Sequence, residues 1–304
     1  MNRILAVDIG GTKTAIGIID ETGTILARDV SPTPRGEPGA VVTMVRRMAA
    51  SLGADKGTVA ALGLSLPGIL DPSGEVLQRS ETSSWYDVPF VRMFSDAFGL
   101  PVTADNDVNA CAIAEATYGG GADLDSFFWM TISTGIGGAM YEGGRVLRGA
   151  HGMAGEIGHL VVRPGGEPCA CGNKGCLEAE SAGPAWKRKA IRLGGGGLRG
   201  EALDARAVAE GARAGDASCL RVVDDVADAL ATGIAAVMNV FDPQVVFLGG
   251  GVAEARDLLI PRIVASLPPL VFVYGQRNTK ILGSALGYDA ALIGAAAIAL
   301  ARLD

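Results

Sequence analysis

The sequence predicts an α/β protein, because strand-like apolar runs alternate with helical segments along the chain. Compact β-rich runs occur at 4–19, 126–132 and 245–248. Between them, apolar residues recur at helical spacing, as in 38–52 and 216–239. Two of the strands lead into similar glycine-rich turns, one early and one midway, and this internal similarity favours two related subdomains.

The composition is that of a globular protein large enough for two domains, with 304 residues, 49% hydrophobic and 19% charged. We expect no membrane span, because no strongly apolar run is long enough. The N-terminus lacks the pattern of a signal peptide, which favours the cytoplasm. The net charge of −7 argues against nucleic-acid binding. The basic cluster at 187–192 is expected to be the solvated face of a helix.

The first glycine-rich turn lies at the tip of the β-hairpin predicted over 4–19 and reads Gly10-Gly11-Thr12-Lys13-Thr14. Glycines let backbone N–H groups approach phosphate oxygens, and the next three side chains add contacts. Asp8, at the end of the strand, is placed to organise Mg²⁺ through water. A plain hairpin with a polar tip fits these residues equally well.

Two later turns repeat this pattern of a strand followed by glycines. The strand 126–132 runs into Ser133-Thr134-Gly135-Ile136-Gly137-Gly138, which lacks the spacing of a dinucleotide-binding fingerprint. The strand 245–248 runs into Gly249-Gly250-Gly251, where a flat adenine ring can approach the backbone. The alternative for this triplet is a tight turn from strand to helix.

Asn106 and Asp107 stand where a strand passes into a long Ala-rich helix that ends near Tyr118. Asn and Asp are preferred helix N-caps, so the segment by itself indicates capping. We expect Asp105, the preceding acid, to be a solvated or capping residue.

A third group of residues, between 155 and 181, predicts a zinc site. Its Cys169-x-Cys171 pair, a glycine-bearing turn and Cys176 can converge on one ion, with His159 as the fourth ligand. A disulfide is disfavoured, because the chain has five cysteines and no secretory feature. Glu156 and Glu178 flank the metal-binding segment, so a bound Zn²⁺ would hold two carboxylates in place.

The segments Gly-Glu-Ile-Gly-His and Cys-x-Cys-Gly-x-x-Gly-Cys-x-Glu resemble those of the ROK family, the sugar kinases and related repressors of the actin/hexokinase-like ATPase superfamily. The resemblance extends over nearly the whole chain. It implies two ribonuclease-H-like domains flanking a cleft. The predicted small domain is 1–117, with a C-terminal helix at about 290–304 returning to it, and the larger domain is 118–289.

The resemblance also implies roles for individual residues. Asp107 becomes the general base that accepts the proton of the attacking hydroxyl. The expected sugar-binding residues are Gly68, Asn106, Asp107, Glu156, His159 and Glu178. Those expected to bind ATP with Mg²⁺ are Asp8, Gly10, Gly11, Thr12, Lys13, Thr134, Gly135, Gly137, Gly249, Gly250 and Gly251. The structural Zn²⁺ takes His159, Cys169, Cys171 and Cys176 as ligands.

The expected activity is ATP-dependent phosphorylation of a hexose, with O6 of glucose as first choice and N-acetylmannosamine or N-acetylglucosamine as alternatives. Polyphosphate is an alternative phosphoryl donor. A non-catalytic sugar-binding regulator is a further alternative. Family repressors carry a helix-turn-helix domain ahead of the kinase-like part, and we expect none here because the predicted hairpin begins at Arg3. Glu180 is expected to add a charge beside the sugar pocket. A homodimer is expected by analogy with members of the family.

Overall fold

A computed structural model describes residues 2–54, 57–194 and 203–303. The chain forms two compact units. The first comprises Met1–Asp123, Arg145–Ala154 and Asp289–Asp304, and the second Leu124–Gly144 and Gly155–Tyr288. The sequence places the segment Arg145–Ala154 in the larger domain, whereas its contacts group it with the first unit. The predicted domain boundaries stay a prediction.

Strands and helices alternate, as the sequence predicts for the α/β class. The strands are β1 (Arg3–Ile9), β2 (Lys13–Asp20), β3 (Ile25–Pro32), β4 (Ala61–Leu66), β5 (Ile69–Leu70), β6 (Leu77–Ser80), β7 (Trp85–Val88), β8 (Val102–Asn106), β9 (Ser126–Ile132), β10 (Ile136–Glu142), β11 (Arg145–Val146), β12 (Val245–Gly249) and β13 (Lys280–Gly283). The helices are α1 (Pro38–Ser51), α2 (Phe90–Phe98), α3 (Asp107–Tyr118), α4 (Leu177–Ser181), α5 (Gly183–Arg192), α6 (Ala205–Arg213), α7 (Ala217–Phe241), α8 (Arg256–Ser266) and α9 (Ala290–Leu300).

The main sheet of the first unit has the strand order β3-β2-β1-β4-β8. Strands β1 and β2 are antiparallel and joined by a short turn, so the hairpin predicted over 4–19 is confirmed. Strand β4 pairs in parallel with β1 on one side and with β8 on the other. The carboxyl ends of these three parallel strands therefore share one edge of the sheet, where βα units usually place functional side chains.

Helices cover both faces of this sheet. On one face, apolar side chains of β1 and β4 form a core with α1 and α2. On the other face α9 packs so closely that a Cβ on Gly63 of β4 would lie 1.8 Å from the carbonyl oxygen of Ala295. Gly294 of α9 makes a similar close approach to α3. The absence of side chains at these glycines lets the layers meet.

In the second unit, β10, β9, β12 and β13 lie side by side in that order. Buried aromatic residues of β9 form the core, and Phe127 packs edge-on against Phe247 of β12 with 5.4 Å between ring centroids. The long helix α7 packs against α4, α5, α6 and α8. Its N-terminus is capped by Asp216, which accepts hydrogen bonds from the backbone N–H groups of Ser218 and Cys219.

Most element boundaries differ little from those predicted. The helix predicted over 38–52 spans Pro38–Ser51, and the last helix, predicted from about residue 290, begins at Ala290 after a short 3₁₀ turn at Gly287–Asp289 and ends at Leu300. Across the described part of the chain, no helix combines the length and the apolar character needed to cross a bilayer.

Replacing Gly294 with Ala should destabilise the first unit, because the new Cβ would lie 1.9 Å from the carbonyl oxygen of Ala110. We expect the free energy of unfolding in urea to fall by about 3 kcal/mol. Gly39→Ala is the matched control, since this helical glycine has open space around it. That control should be neutral or stabilising by up to about 1 kcal/mol. Equal stability of the two variants would contradict the close packing of α9 on α3.

Candidate active site

Three polar side chains stand in one row at the carboxyl edge of the first sheet. Asp8 of β1 pairs in register with Ser65 of β4, which pairs in register with Asp105 of β8. The Ser65 hydroxyl is fully buried and donates a hydrogen bond of 2.7 Å to Asp8 Oδ1. Burial raises the pKa of Asp8 to about 6, although the hydrogen bond from Ser65 opposes this shift. Carboxylate and hydroxyl oxygens are ligands that suit Mg²⁺.

The turn after β1 exposes part of the predicted phosphate-binding set. Gly10 N–H donates to the carbonyl oxygen of Lys13 at 2.9 Å and closes the turn, which leaves Thr12 and Lys13 exposed. The expectation that Thr14 also contacts phosphate is wrong. Its side chain is fully buried and its hydroxyl is hydrogen-bonded to that of Thr33 at 2.9 Å.

The junction of β8 with α3 places Asn106 and Asp107 side by side. Asn106 Oδ1 accepts from the N–H groups of Val108 and Asn109, so Asn106 is the N-cap of α3. Its Nδ2 donates to the carbonyl oxygen of Gly68 at 3.0 Å, which links two of the predicted sugar-binding residues. Asp107 is partly buried in the first turn of α3, where the positive end of the helix suits an anion.

Asp105 is not the solvated or capping residue that the sequence suggests. Its side chain is only 6% exposed and forms a two-pronged ion pair with Arg148. Burying a carboxylate is costly unless it is paired and hydrogen-bonded, and Asp105 is both.

The second unit carries its own turn between β9 and β10. Thr134 is exposed in this turn, and Glu178 at the start of α4 accepts a 3.0 Å hydrogen bond from Ile136 N–H through Oε2. A Cβ on Gly135 would lie 2.6 Å from the same oxygen. Glycine at this position therefore lets the predicted sugar-binding carboxylate lie directly against the predicted phosphate turn.

The triplet after β12 is held closely by its surroundings. A Cβ on Gly249 would lie 2.3 Å from the Trp129 ring, and Gly250 adopts a φ of +87°. Packing and turn geometry thus account for these two glycines, as the alternative of a tight turn supposes. Gly251 faces the hydroxyl of Tyr288, whose side chain is 77% exposed.

The four predicted zinc ligands come together in the second unit. The ligand atoms of His159, Cys169, Cys171 and Cys176 all lie within 4.8 Å of one another. Cys171 Sγ and Cys176 Sγ are 3.6 Å apart, and Cys169 Sγ is 3.6 Å from His159 Nδ1. A tetrahedron with Zn–S bonds of about 2.3 Å has edges of about 3.8 Å, so the cluster fits Zn²⁺.

The cysteine thiols are not disulfide-bonded. Burial raises the pKa of the Cys176 thiol to about 12. This sulfur would therefore stay protonated at neutral pH without a cation, whereas a zinc ligand is a thiolate.

A network of ion pairs fixes the base of the zinc-binding segment. Arg163 donates to Glu180 at 3.0 Å and to Asp225 of α7 at 2.8 Å, and Lys189 of α5 forms ion pairs with the same two carboxylates. Glu180 is 1% exposed, so it is a structural partner and not a charge beside a pocket. Lys189 is also buried, which makes the prediction of a solvated basic face wrong at this residue.

Sequence reasoning missed three of these residues. Arg148 and Arg163 are distant in sequence from the acids that they bind, and Tyr288 lies in a turn with no motif. The one available signal was that Asp105 follows an apolar strand directly, where a charge needs a partner.

Comparison with known proteins identifies the family. Residues 4–302 match the model of the ROK family. The chain belongs to this family. A glucokinase of Thermotoga maritima is 30% identical, covering 99% of this chain and 98% of its own length. An N-acetylmannosamine kinase of Shigella boydii is 34% identical, covering 97% of both chains.

Among solved structures, a ROK family glucokinase from Streptomyces griseus, in complex with glucose and AMPPNP, has a TM-score of 0.87 and 31% identity. The match covers 99% of this chain and 100% of that one. The ROK family and its actin/hexokinase-like fold, expected from the sequence, are thereby confirmed.

Replacing Cys171 with Ser should remove the metal, because a hydroxyl is a much poorer ligand for Zn²⁺ than a thiolate. We expect zinc measured by elemental analysis to fall from about one ion per chain to near zero. Sugar affinity measured by calorimetry should fall with it, since the ion holds the segment that carries Glu156 and Glu178. Cys219→Ala, at a buried cysteine of α7, is the control and should keep the zinc. Unchanged sugar affinity after zinc loss would contradict the scaffold role.

Asp8→Asn should stabilise the protein at neutral pH when Mg²⁺ is absent. The folded-state pKa of about 6 lies above the usual value, so ionised Asp8 opposes folding above pH 6. We expect a gain of about 1–3 kcal/mol at pH 7.5 by thermal unfolding in buffer without added Mg²⁺. The gain should shrink as the pH falls from 6 to 4, because folded wild-type protein then takes up a proton. A gain that is constant with pH would contradict this origin.

Proposed function

We propose that this ROK family member is a sugar kinase that transfers the γ-phosphoryl group of ATP to a hexose hydroxyl, with O6 of glucose as the first candidate. The observation that carries the proposal is the β8–α3 junction. There a partly buried carboxylate, Asp107, stands in the first turn of a helix next to a residue, Asn106, whose side chain is fixed at both ends. The similarity to a glucokinase that binds glucose and AMPPNP supports the same substrates here.

Asp107 is the proposed general base. Its carboxylate accepts the proton of the attacking hydroxyl while the hydroxyl oxygen bonds to the γ-phosphorus, and the bond to the ADP oxygen breaks. Such a base contributes about 10²–10⁴ in rate. Asn106 and Gly68 are proposed to position the sugar beside it.

Glu156, His159 and Glu178 are proposed to bind the sugar as well. His159 directs Nδ1 towards the cysteine ligands, which leaves Nε2 available to a sugar hydroxyl. Glu178 uses Oε2 to accept from Ile136 N–H, so its other oxygen can accept from the sugar. Acceptors fixed in this way suit a polyol.

The glycine-rich turns are proposed to bind ATP. Gly10, Gly11, Thr12 and Lys13 in one unit, and Thr134, Gly135 and Gly137 in the other, offer backbone and side-chain donors to phosphate oxygens. Gly249–Gly251 is the proposed adenosine contact. Asp8 would hold Mg²⁺, which neutralises phosphate charge when bound.

The sugar itself is the finer question. The identity of 34% to an N-acetylmannosamine kinase makes N-acetylmannosamine the second candidate, and N-acetylglucosamine is chemically close to it. Polyphosphate remains an alternative donor. A sugar-binding regulator is the non-enzymatic alternative, and the arrangement of Asp107 favours catalysis over it. A homodimer in the cytoplasm stays a prediction.

ADP release should occur with Mg-ATP and one or a few sugars from a panel of hexoses and N-acetylhexosamines. Asp107→Asn should lower kcat by at least about 10²-fold, because the amide cannot accept the hydroxyl proton. Asp96→Asn, on the exposed surface of α2, is the control and should keep full activity. Sugar binding by calorimetry without turnover would favour the polyphosphate donor or the regulator. Full activity of Asp107→Asn would contradict the assigned base.

A further inference from the structure

Arg148 and Asp105 form an ion pair through two hydrogen bonds. Arg148 Nη1 donates to Asp105 Oδ1 at 2.6 Å, and Nη2 donates to Oδ2 at 2.5 Å. The Asp105 side chain is 6% exposed, and the Arg148 side chain is 49% exposed. A two-pronged contact of this kind fixes the plane and the direction of the carboxylate, which a single contact does not.

The same carboxylate binds both sides of the catalytic turn, defined here as residues 105–109. Asp105 Oδ1 accepts from Asn106 N–H at 2.8 Å and from Asn109 Nδ2 at 3.0 Å. Asp107 lies between these two donors in the chain. Asp105 therefore holds the backbone before Asp107 and a buried side chain one position beyond Val108.

Arg148 is itself held in a compact segment. The carbonyl oxygen of Arg148 accepts from Ala154 N–H at 3.1 Å, and Gly149 turns the chain with a φ of +73°. A long side chain loses rotamer entropy when it is fixed, so a pre-ordered backbone makes the ion pair less costly to form. The guanidinium group thus approaches the catalytic turn from a segment that is ordered by its own hydrogen bond.

We propose that Arg148 and Asp105 are positioning residues of the kinase reaction, which hold Asp107 and Asn106 in the geometry needed for proton transfer. The inference rests on the proposed role of Asp107 as general base. Neither positioning residue needs to touch the substrate. Their effect is on the direction of the Asp107 carboxylate, and a displacement of about 1 Å in such a group costs up to about 10²-fold in rate.

The competing explanation is that the pair only stabilises the fold. A buried ion pair that loses its cation leaves an uncompensated charge, so Arg148→Ala is expected to be much less stable. Asp105→Asn is milder, because the amide oxygen can still accept from Asn106 N–H and the freed Arg148 is half-exposed to water. Arg148→Lys keeps the charge and loses the two-pronged geometry.

The test is steady-state kinetics on Asp105→Asn, Arg148→Lys and Arg148→Ala, each at a temperature where the variant is fully folded by circular dichroism. We expect kcat to fall about 10- to 100-fold in all three, with KM for ATP changed by less than about threefold. Guanidinium chloride at millimolar concentration should restore part of the activity of Arg148→Ala, and sodium chloride at equal ionic strength should not.

Arg262→Met is the matched control, since Arg262 forms an ion pair with Asp224 at 2.6 Å between α8 and α7. It should lower the melting temperature and leave kcat unchanged. Wild-type kcat in folded Asp105→Asn and Arg148→Lys would overturn the inference, even if their stability fell and even if Arg148→Ala did not fold.

Asp107→Asn is measured in parallel, so that the two hypotheses fail separately. Loss of activity in Asp107→Asn with full kcat in the other variants would overturn only the positioning role. Full activity in Asp107→Asn would instead contradict the assigned base, and the positioning role with it.

Discussion

The parallel pairing of β1, β4 and β8 is the constraint on which the site of the first unit depends. It brings three strand ends to one edge and sets Asp8, Ser65 and Asp105 in a single row. Polar groups there lie against a tightly packed sheet, so each must be compensated. Asp105 forms an ion pair with Arg148 and also accepts two further hydrogen bonds. Asp8 accepts one hydrogen bond, from the Ser65 hydroxyl, and its pKa is raised. This difference supports the proposal that Asp8, and not Asp105, binds Mg²⁺.

In the second unit, the zinc-binding segment is ordered by a cluster of metal ligands and by ion pairs. It is long and rich in glycine, and such a segment loses much conformational entropy when it is fixed. Two independent sets of interactions stabilise this segment. One is the cluster of His159 with three cysteines, which fits Zn²⁺, and the other is the ion-pair network centred on Glu180 and Lys189. Glu178 stands in the same short helix as Glu180, so the network that fixes the helix also fixes the predicted sugar-binding acid.

Local patterns carried most of what the sequence could predict. The two strands of the hairpin are adjacent in the chain. The zinc ligands and the helix cap at Asn106 belong to recognisable motifs. The wrong predictions all concern residues whose interaction partners are far away in the chain. Asp105 and Lys189 look like surface charges until Arg148, Glu180 and Asp225 are placed beside them, and periodicity gives no information on such pairing. The prediction for Thr14 is wrong because the alternation of side chains along β2 directs its hydroxyl towards Thr33.

The proposed catalysis depends on transfer of the proton of the sugar hydroxyl to the Asp107 carboxylate. A crystal structure of this protein with glucose and AMPPNP is the decisive measurement. We expect an Asp107 carboxylate oxygen within about 2.6–3.2 Å of the hydroxyl oxygen nearest the γ-phosphorus, with that hydroxyl being O6. A complex in which that hydroxyl contacts a different protein group, with Asp107 turned away from it, would rule out Asp107 as the general base.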